Sequence, residues 1–475
     1  MALIAEPKPA AFLARQPYYP WLIVGVSCTG TFLAQLDASI VQLALPTLKQ
    51  TFDVSVDEVR WVAIAYPLLY ASFLAVFGRL CEIYGRKLIY LSGFALFTIG
   101  SLLSGLASGI EWLIGFRVIQ GFGGAMLGAN AMAVLVKSID AERRGHAIGV
   151  YTTAQAVGVS AGPFVGGMVL EALGWQWVFW VVVPFGVAAT VFGWLVLPVT
   201  LDLTRGRPFD FAGALFLVLS LVLAILALNQ TSVWPLTSPA MIGCILATVV
   251  FFWLFIRSER SAAWPLMDLA LFRYRAFVAS GIGVALGYAL LFGMFFLMSF
   301  ALIHGLHNSP HVAGIKLAVI PVAIGLCAPI GIALGERLGS PVVRVAGVAL
   351  VGAALVALTA IALHPIGSLV TGLTAFAVFG IGLGLFMAPT NHAALQAAPA
   401  EHSIQASSTI NVLRVFGSCV GVSIASSVMS WRMAEYDAYF GGHPLIDAIE
   451  SSLGVLVIFA ALAAAVSLVR PRASE

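Results

Sequence analysis

The sequence predicts an all-α integral membrane protein with fourteen transmembrane helices. Hydrophobic residues make up 61% of the 475 residues and charged residues only 9%, whereas a typical soluble domain carries roughly 25% charged residues. The mean hydropathy of +1.01 agrees with this composition. A chain this apolar cannot cover a water-facing surface with polar side chains, so its surroundings must be lipid. The small net charge of +3 gives no reason to expect nucleic acid as a partner.

A transmembrane helix needs about 20 mainly apolar residues, and fourteen stretches of the chain qualify. They cover residues 20–45, 58–78, 88–108, 112–136, 146–172, 175–198, 210–229, 239–257, 276–303, 312–335, 342–363, 367–391, 403–430 and 451–469. The polar residues 1–19 precede the first stretch, which is too long for the apolar part of a secretory signal and lacks a cleavage motif. We therefore expect it to be retained as the first helix.

The lysines and arginines test this count independently, because cytoplasmic loops of membrane proteins collect positive charge. Fourteen helices place both termini on one side of the membrane. That side holds eighteen of the 24 basic residues: Lys8, Arg15, Arg79, Arg86, Lys87, Lys137, Arg143, Arg144, Arg205, Arg207, Arg257, Arg260, Arg273, Arg275, Arg337, Arg344, Arg470 and Arg472. The other side holds Lys49, Arg60 and Arg432. The pattern predicts cytoplasmic N- and C-termini.

A weak internal repeat predicts two related six-helix halves. Residues 80–85 and 334–339 share the pattern Leu-x-Glu-x-x-Gly, and residues 141–162 and 400–421 share Ala-Glu followed by two glycines at the same spacing. Coincidence among many glycines is the alternative explanation. Repeated halves with a site at their interface are common in transporters. The predicted segments are a cytoplasmic N-terminal segment (1–19), an N-terminal half (20–198), a linker with two extra helices (199–275), a C-terminal half (276–469) and a cytoplasmic tail (470–475).

Asp37 is the only carboxylate that the sequence places well inside an apolar stretch. A charged carboxylate near the bilayer centre costs about 2.5–3.5 kcal/mol on insertion scales, so such a group persists where it pairs, titrates or binds a ligand. Arg117 lies early in the fourth stretch, which runs opposite to the first, so both residues lie in the outer half of the membrane and can pair. Two alternatives remain open: Asp37 is a hydrogen-bonded structural residue, or Arg117 extends to the outer surface.

Two other segments have a notable order of residues. The loop after the second stretch combines glycines, which allow a tight turn, with charges that can pair across helix ends. Its candidate gating residues are Gly78, Glu82, Gly85, Arg86 and Lys87, with Glu336 and Arg337 as the weaker copy. The fifth stretch combines small residues, which allow close helix packing, with a proline that bends the helix. Its candidates are Gly158, Gly162, Pro163, Gly166 and Gly167. An ordinary positive loop and a simple packing kink are the alternatives.

Together these segments resemble the major facilitator superfamily, and most closely its fourteen-helix drug:proton antiporter branch (QacA/EmrB-type). Residues 36–46 are similar to the branch signature Leu-Asp-x-Thr-Ile-Val-Asn-x-Ala-Leu-Pro, and residues 78–87 to the superfamily loop signature. Residues 117–121 are similar to the fourth-helix signature Arg-x-x-Gln-Gly, and residues 162–167 to the antiporter signature Gly-Pro-x-x-Gly-Gly. The resemblance covers nearly the whole chain and implies the major facilitator fold and export by proton antiport.

The chain departs from the family pattern in ways that affect this interpretation. Glu82 stands where the family usually has Asp, and Ile83 stands where it usually has Arg, so the charge relay implied for the loop lacks one partner. No further acidic residue lies deep in the apolar stretches, which argues against strongly cationic substrates. Arg414 and Lys316, if they line a cavity, favour anionic, zwitterionic or neutral amphipathic compounds, although Lys316 can equally extend to the surface.

The resemblance implies a central cavity that opens to each side of the membrane in turn. Its candidate lining residues are Gln42, Gln120, Gln155, Asn391, Asn411 and Arg414. In the implied cycle, protonation of Asp37 from the outside weakens its attraction to Arg117, and deprotonation toward the cytoplasm restores it. One charge moved through the full membrane field is worth about 2.3 kcal/mol per 100 mV, which is enough to tilt a two-state equilibrium.

Nothing in the sequence indicates an enzyme, a cofactor or a metal site. There is no His-Glu-x-x-His pair, nucleophile elbow or phosphate-binding loop, the five cysteines are scattered, and the histidines at 304, 307 and 311 are more typical of a polar loop. The implied partners are a small-molecule substrate, protons and the lipid of a bacterial inner (plasma) membrane. The resemblance also allows a periplasmic adaptor protein and suggests a monomer. Competing interpretations are a symporter, an exporter of a specific metabolite, siderophore or lipid, and a non-transporting receptor.

Overall fold

The computed structural model describes residues 6–201, 203, 209–262, 264–359, 369–399, 403–439 and 444–469. Within these residues, fourteen helices are long and apolar enough to cross a membrane, as the sequence predicts. They are α1 (Tyr19–Phe52), α2 (Val56–Tyr84), α3 (Arg86–Gly105), α4 (Ile110–Ser138), α5 (Arg144–Leu173), α6 (Gln176–Val196), α7 (Phe211–Asn229), α8 (Pro239–Ser261), α9 (Arg275–Gly305), α10 (Pro310–Leu338), α11 (Ser340–Ala357), α12 (Leu369–Gln396), α13 (Ser403–Tyr439) and α14 (Pro444–Ser467).

The helix ends differ from the prediction mainly where polar turns continue a helix. Helix α13 extends nine residues beyond the predicted end at residue 430, and α14 begins seven residues before the predicted start at 451. The added turns of α13 contain an Arg432–Glu435 ion pair of 2.8 Å, three residues apart on one helix face, which supports helix outside an apolar layer. Hydropathy detects only the apolar part of such a helix.

The packing of the helices follows the predicted two-fold repeat. In the first half, α5 packs along α1, and α4 packs on α2 and α3; in the second half, α13 packs along α9, and α12 packs on α10 and α11. The halves meet where α5 packs on α10 and where α2 packs on α13. Each interface therefore joins the fifth helix of one half to the second helix of the other, and the predicted fold class is confirmed.

The repeated glycines occupy equivalent contacts in the two halves. A Cβ atom at Gly158 would meet the backbone of α1, and one at Gly417 or Gly421 would meet the backbone of α9. The Ala400-Glu401 pair of the same repeat lies outside the described residues. The glycines thus mark where the fifth helix of each half approaches the first.

The inserted helices α7 and α8 form an antiparallel pair beside the bundle. Helix α7 packs on both α2 and α13, so it contacts both halves. Helix α8 packs mainly on α7 and exposes large apolar side chains such as Val249 and Trp253, as expected for a lipid-facing surface. The predicted basic residues Arg205 and Arg207 lie outside the described residues.

The helix bundle has two ends. The basic end is the one where α2 is joined to α3, and the far end is the one where α1 is joined to α2. At the basic end, Gly85 and Gly339 separate α2 from α3 and α10 from α11 with φ angles of +112° and +93°. Residues with side chains rarely adopt such angles, so the loop pattern of residues 80–85 and 334–339 corresponds to the same turn in each half. The predicted tail residues Arg470 and Arg472 lie outside the described residues.

Candidate functional site

The predicted pair of Asp37 and Arg117 is present and lies at the centre of a closed polar network. Arg117 Nη1 donates a 2.6 Å hydrogen bond to Asp37 Oδ2. Gln120 Nε2 donates to Asp37 Oδ1 at 2.8 Å, and Gln120 Oε1 accepts from Arg117 Nη1 at 2.6 Å. The exposed fraction is 0% for Asp37 and 1% for Arg117, so Arg117 does not extend to the surface.

Helix α2 completes the surroundings of Arg117. Its Nε donates a 3.1 Å hydrogen bond to the carbonyl oxygen of Val62, and its guanidinium carbon lies 4.7 Å from the ring centroid of Tyr66. This is a cation–π distance. The network therefore joins α1, α2 and α4. Because both Asp37 oxygens accept hydrogen bonds, the geometry fits a structural role as well as a proton-carrying one.

Glycines of α4 create the space for two tyrosines of α2. A Cβ atom at Gly124 would meet the Tyr66 ring, and one at Gly128 would meet the Tyr70 hydroxyl. The rings of Tyr66 and Tyr70 lie 6.1 Å apart. The close packing of α4 thus produces a continuous contact from Arg117 through Tyr66 to Tyr70.

A second polar cluster lies between the two halves, around Arg414 of α13. Arg414 Nη1 and Nη2 approach Gln155 Oε1 of α5 and Asn391 Oδ1 of α12, both at 3.5 Å. The guanidinium carbon lies 5.2 Å from the ring centroid of Tyr288 of α9. In a second contact between the halves, Asn411 donates a 3.3 Å hydrogen bond to the Tyr70 hydroxyl.

The structure places the predicted cavity residues in three different surroundings. Gln120 belongs to the Asp37 network, whereas the Arg414 cluster contains Gln155, Asn391 and Asn411. Gln42 is buried, and its side-chain oxygen has no hydrogen-bond partner among the described residues.

Lys316 lies away from both clusters. Its ammonium donates a 2.8 Å hydrogen bond to Asn308, in the far-end loop that precedes α10. Of the two sequence interpretations of Lys316, the structure favours a side chain that extends to the surface.

The glycine-rich segment of α5 connects α1 to the other half of the protein. Cβ atoms at Gly158, Gly162 and Gly166 would meet residues 32–40 of α1, the segment that contains Asp37. A Cβ atom at Gly167 would meet the start of α10. Pro163 lies inside α5, and its carbonyl oxygen faces α10. The part of α1 around Asp37 is therefore in direct contact with α5, which also contacts the second half. A displacement of α1 at this point acts directly on α5.

Charged side chains of the loop motif interact at the basic end. Arg79 forms an ion pair with Glu82, three residues along the same helix, so Glu82 has a basic partner although Ile83 replaces the usual arginine. Lys87 is buried and donates hydrogen bonds to the carbonyl oxygens of Trp194 and Leu197 at 2.8 and 2.7 Å. Lys87 thereby neutralises the negative end of the α6 helix dipole.

The remaining candidates of the loop motif, Gly78, Glu336 and Arg337, lie in more open surroundings. Nothing lies within 4 Å of a Cβ atom placed on Gly78, and Glu336 and Arg337 are exposed at the basic end. The gating role of this loop stays a prediction.

Glu6, which the sequence interpretation did not single out, occupies the start of α3. Its carboxylate accepts hydrogen bonds from the backbone N–H of Leu88 at 3.3 Å and from the backbone N–H and hydroxyl of Thr200. The Thr200 hydroxyl also accepts a 2.8 Å bond from the Arg86 N–H. A carboxylate at a helix N-terminus is favourable. A Cβ atom at Gly85 would meet this carboxylate, so the segment before α1 covers the loop motif.

Arg60, which the sequence interpretation placed on the side opposite the termini without a role, is fully buried at the far end and bridges three helices. It forms a 2.8 Å ion pair with Asp57. It also donates hydrogen bonds to Ser232 Oγ at 3.0 Å, to Ser427 Oγ of α13 at 3.1 Å and to the Asn229 carbonyl at the end of α7. In the sequence, a basic residue near the start of a helix cannot be distinguished from a charged loop residue. The partners of Arg60 are also distant along the chain, so no local pattern reveals them.

Comparison with known protein families shows the family to which this chain belongs. A sequence model of the Major Facilitator Superfamily matches residues 27–422. The chain belongs to the Major Facilitator Superfamily. As a member of this transporter family, it is a multi-pass membrane protein.

Curated relatives of this superfamily member match over most of the chain. The riboflavin transporter RibZ of Clostridioides difficile (strain 630) is 29% identical over 434 residues, which cover 91% of this chain and 93% of the relative. The multidrug resistance protein Stp of Mycobacterium tuberculosis is 31% identical over 426 residues, covering 86% and 76% of the two chains. The tetracenomycin C resistance and export protein of Streptomyces glaucescens is 28% identical, covering 90% and 78%.

Solved structures of other superfamily transporters share the fold at low sequence identity. The POT family transporter PepTSo matches with a TM-score of 0.67 and 12% identity, covering 96% of this chain and 99% of that one. A bacterial homologue of the human lysosomal transporter Spinster, in an inward-facing and occupied conformation, matches with a TM-score of 0.65 and 15% identity, covering 95% and 97%.

Proposed function

We propose that this transporter is a proton-coupled antiporter that exports small amphipathic compounds by alternating access. The observation that carries the proposal is the buried network of Asp37, Arg117 and Gln120. A carboxylate held in this way changes its interaction with the neighbouring guanidinium when it takes up a proton. The family membership and the similarity to proteins named for multidrug resistance and for tetracenomycin C export support the same conclusion.

The proposed coupling begins with the charge of Asp37. Protonation of Asp37 weakens its attraction to Arg117, which keeps the Val62 carbonyl and Gln120 as partners on α2 and α4. Helix α1 is then held less firmly to α4. Because glycines of α5 pack against α1 around Asp37 and against the start of α10, movement of α1 is transmitted to the second half.

We propose that the conformation described here is closed at the far end. Arg60 bonds the first half to α13 there, and Gly167 of α5 lies directly against Gly314 of α10. We place the basic end in the cytoplasm, following the positive charge. The conformation then corresponds to the inward-facing stage of the cycle, with the Arg414 cluster on the cytoplasmic side of the closure.

Substrate-dependent proton movement tests this proposal. Wild-type protein and Asp37→Asn are compared in an efflux-deficient bacterial host for resistance to a panel of amphipathic antibiotics and dyes, and in proteoliposomes containing a pH-sensitive dye. We expect Asp37→Asn to lose concentrative export and substrate-driven proton movement while retaining membrane insertion. Glu111→Gln, which neutralises an exposed carboxylate at the start of the helix that carries Arg117, is the matched control. Export by Asp37→Asn at the wild-type rate would refute the coupling role.

A second candidate function is transport of a specific flavin. It is favoured by the similarity to the riboflavin transporter RibZ, which extends over 91% of this chain and 93% of that protein. Expression in a riboflavin-auxotrophic host distinguishes the two functions. Growth at limiting riboflavin without any change in drug resistance supports flavin uptake, whereas increased drug resistance without improved growth supports multidrug export.

A further inference from the structure

Within the described part of the chain, the side chain of Arg414 lacks the carboxylate partner that the buried arginines of the first half have. Its two hydrogen bonds, to neutral side-chain amides, are both 3.5 Å long, beyond the usual 2.7–3.2 Å of an N–H···O bond. Its Nε is buried and has no partner among the described residues. Arg60 and Arg117, by contrast, each have a carboxylate partner, at 2.8 and 2.6 Å.

No carboxylate of the described residues forms an ion pair with Arg414. The side chain is only half-buried, and burying a charged group without a partner of opposite charge is unfavourable. The bond from Arg414 to Gln155 also spans helices α5 and α13, which scarcely contact each other. A guanidinium with donors to spare therefore lies at a gap between the two halves.

Aromatic side chains from both halves surround this guanidinium. The Tyr288 ring lies beneath it at 5.2 Å and stacks on Phe292 with an interplanar angle of 18°. Tyr70 of the first half accepts a hydrogen bond from Asn411, one turn before Arg414 on α13. Tyr151 of the first half lies one turn before Gln155, which accepts a hydrogen bond from Arg414. Flat rings beside an unpaired guanidinium suit a ligand that is itself flat and carries a negative charge, because arginine binds carboxylates and related anions through a planar fork of donors.

We propose that Arg414 recognises the transported compound and selects a planar aromatic anion, such as a carboxylate or sulfonate. The inference rests on the proposed transport function and assigns its substrate class. The anion accepts hydrogen bonds from Arg414, and its ring packs among Tyr70, Tyr151 and Tyr288. Since the ligand contacts side chains of both halves, its binding draws the halves together across the gap.

The same geometry connects the ligand to the proton site. Tyr70 contacts Tyr66, whose ring lies over Arg117, the partner of Asp37. Two basic groups, Arg414 and Arg117, thus lie on either side of a tyrosine pair on α2. Binding of an anion at Arg414 and the charge of Asp37 act on the same stretch of this helix.

Binding of a matched probe set tests the proposal. 1-Naphthoate, 1-naphthamide and 1-naphthylmethylammonium share one ring system and differ in charge, and their binding to the purified protein in detergent is measured by calorimetry. We expect 1-naphthoate to bind at least about tenfold more tightly than the amide, because charge-assisted hydrogen bonds are roughly twice as strong as neutral ones. Equal or tighter binding of the ammonium compound would overturn the proposal.

Substitutions at position 414 test whether the Arg414 side chain causes the preference for naphthoate. Arg414→Gln should remove the preference for naphthoate, and Arg414→Lys should retain part of it, because lysine keeps the charge but loses the planar fork. Arg432→Gln, on the same helix and paired with Glu435 of its own turn, is the control and should bind like wild type. If Arg414→Gln is not monodisperse in detergent, Arg414→Lys decides. A wild-type preference in every folded Arg414 variant overturns the proposal.

One further variant separates this inference from the proton-coupling proposal. Asp37→Asn should keep the binding preference for naphthoate while losing naphthoate-driven proton movement in proteoliposomes. If the wild-type protein shows the preference for naphthoate but no naphthoate-driven proton movement, the coupling proposal is refuted and the substrate assignment stays intact. Proton movement driven equally by all three probes supports coupling and refutes the assignment.

Discussion

Replacing Arg60 by methionine should shift the transporter toward a conformation open at the far end. Of the Arg60 contacts, those to Ser426 and Ser427 join the two halves. Hydrogen bonds between membrane helices are worth about 0.6 kcal/mol on average and up to about 1.7. Removing this link should therefore favour the open state by about 3- to 16-fold, at about 1.4 kcal/mol per factor of ten. Asp57 loses its basic partner but keeps a 2.7 Å hydrogen bond from the Ser232 hydroxyl and is 28% exposed, so water can solvate it.

The shift can be measured as a distance across the far end. Spin labels at positions 51 and 431, at the ends of α1 and α13, lie on different halves and on exposed residues, and the five native cysteines are replaced beforehand. Pulsed electron paramagnetic resonance should show a larger population of long distances in Arg60→Met than in the parent protein. Arg432→Met, which removes an arginine bonded within its own helix at the same end, should leave the distribution unchanged. Identical distributions for Arg60→Met and the parent would refute the closure role.

Three further substitutions test individual contacts. Gly85→Ala should destabilise the protein by about 1–2 kcal/mol in thermal unfolding, because its positive φ is unfavourable for an L-residue. Gly78→Ala, at an open helical position, is the control and should leave the stability unchanged. Equal effects of the two substitutions would contradict this explanation. Gly167→Ala should separate α5 from α10 and raise the far-end accessibility of introduced cysteines, whereas Gly149→Ala, with nothing near its Cβ position, should not. Lys316→Gln should transport the naphthoate probe at the parent rate, since its ammonium bonds to the far-end loop; a large loss of transport would place Lys316 at the substrate.

The span count and the Asp37–Arg117 pair could be predicted because both depend on regular features of the chain. Apolar stretches of membrane length locate the helices, and their alternating direction fixes which residues share a depth. Asp37 lies in an outward-running helix and Arg117 in an inward-running one, so the same depth follows from their positions alone. The short bonds that Gln120 makes to both partners were not predictable, because they depend on side-chain geometry.

Arg60 and the Arg414 cluster were only partly accessible to such reasoning. The partners of Arg60 on α7 and α13 are 169 to 367 positions away in sequence, and no local pattern encodes that distance. Arg414 was identified as a charge inside a helix, but its aromatic neighbours were not, because a tyrosine in an apolar stretch looks the same whether it faces lipid, core or cavity. Glu6 lies in a short polar segment whose role depends on the folded position of α3 and Thr200.

The contact between Arg60 and the end of α7 limits how this chain can be shortened, by evolution or by protein engineering. Excision of residues 199–275, which would produce a twelve-helix variant, removes the Asn229 and Ser232 partners of Arg60 and leaves it only the Asp57 ion pair and the serines of α13 among the described residues. An arginine in that position is costly in a membrane. We therefore expect a twelve-helix variant to lose stability unless other residues replace the contacts that Asn229 and Ser232 make with Arg60.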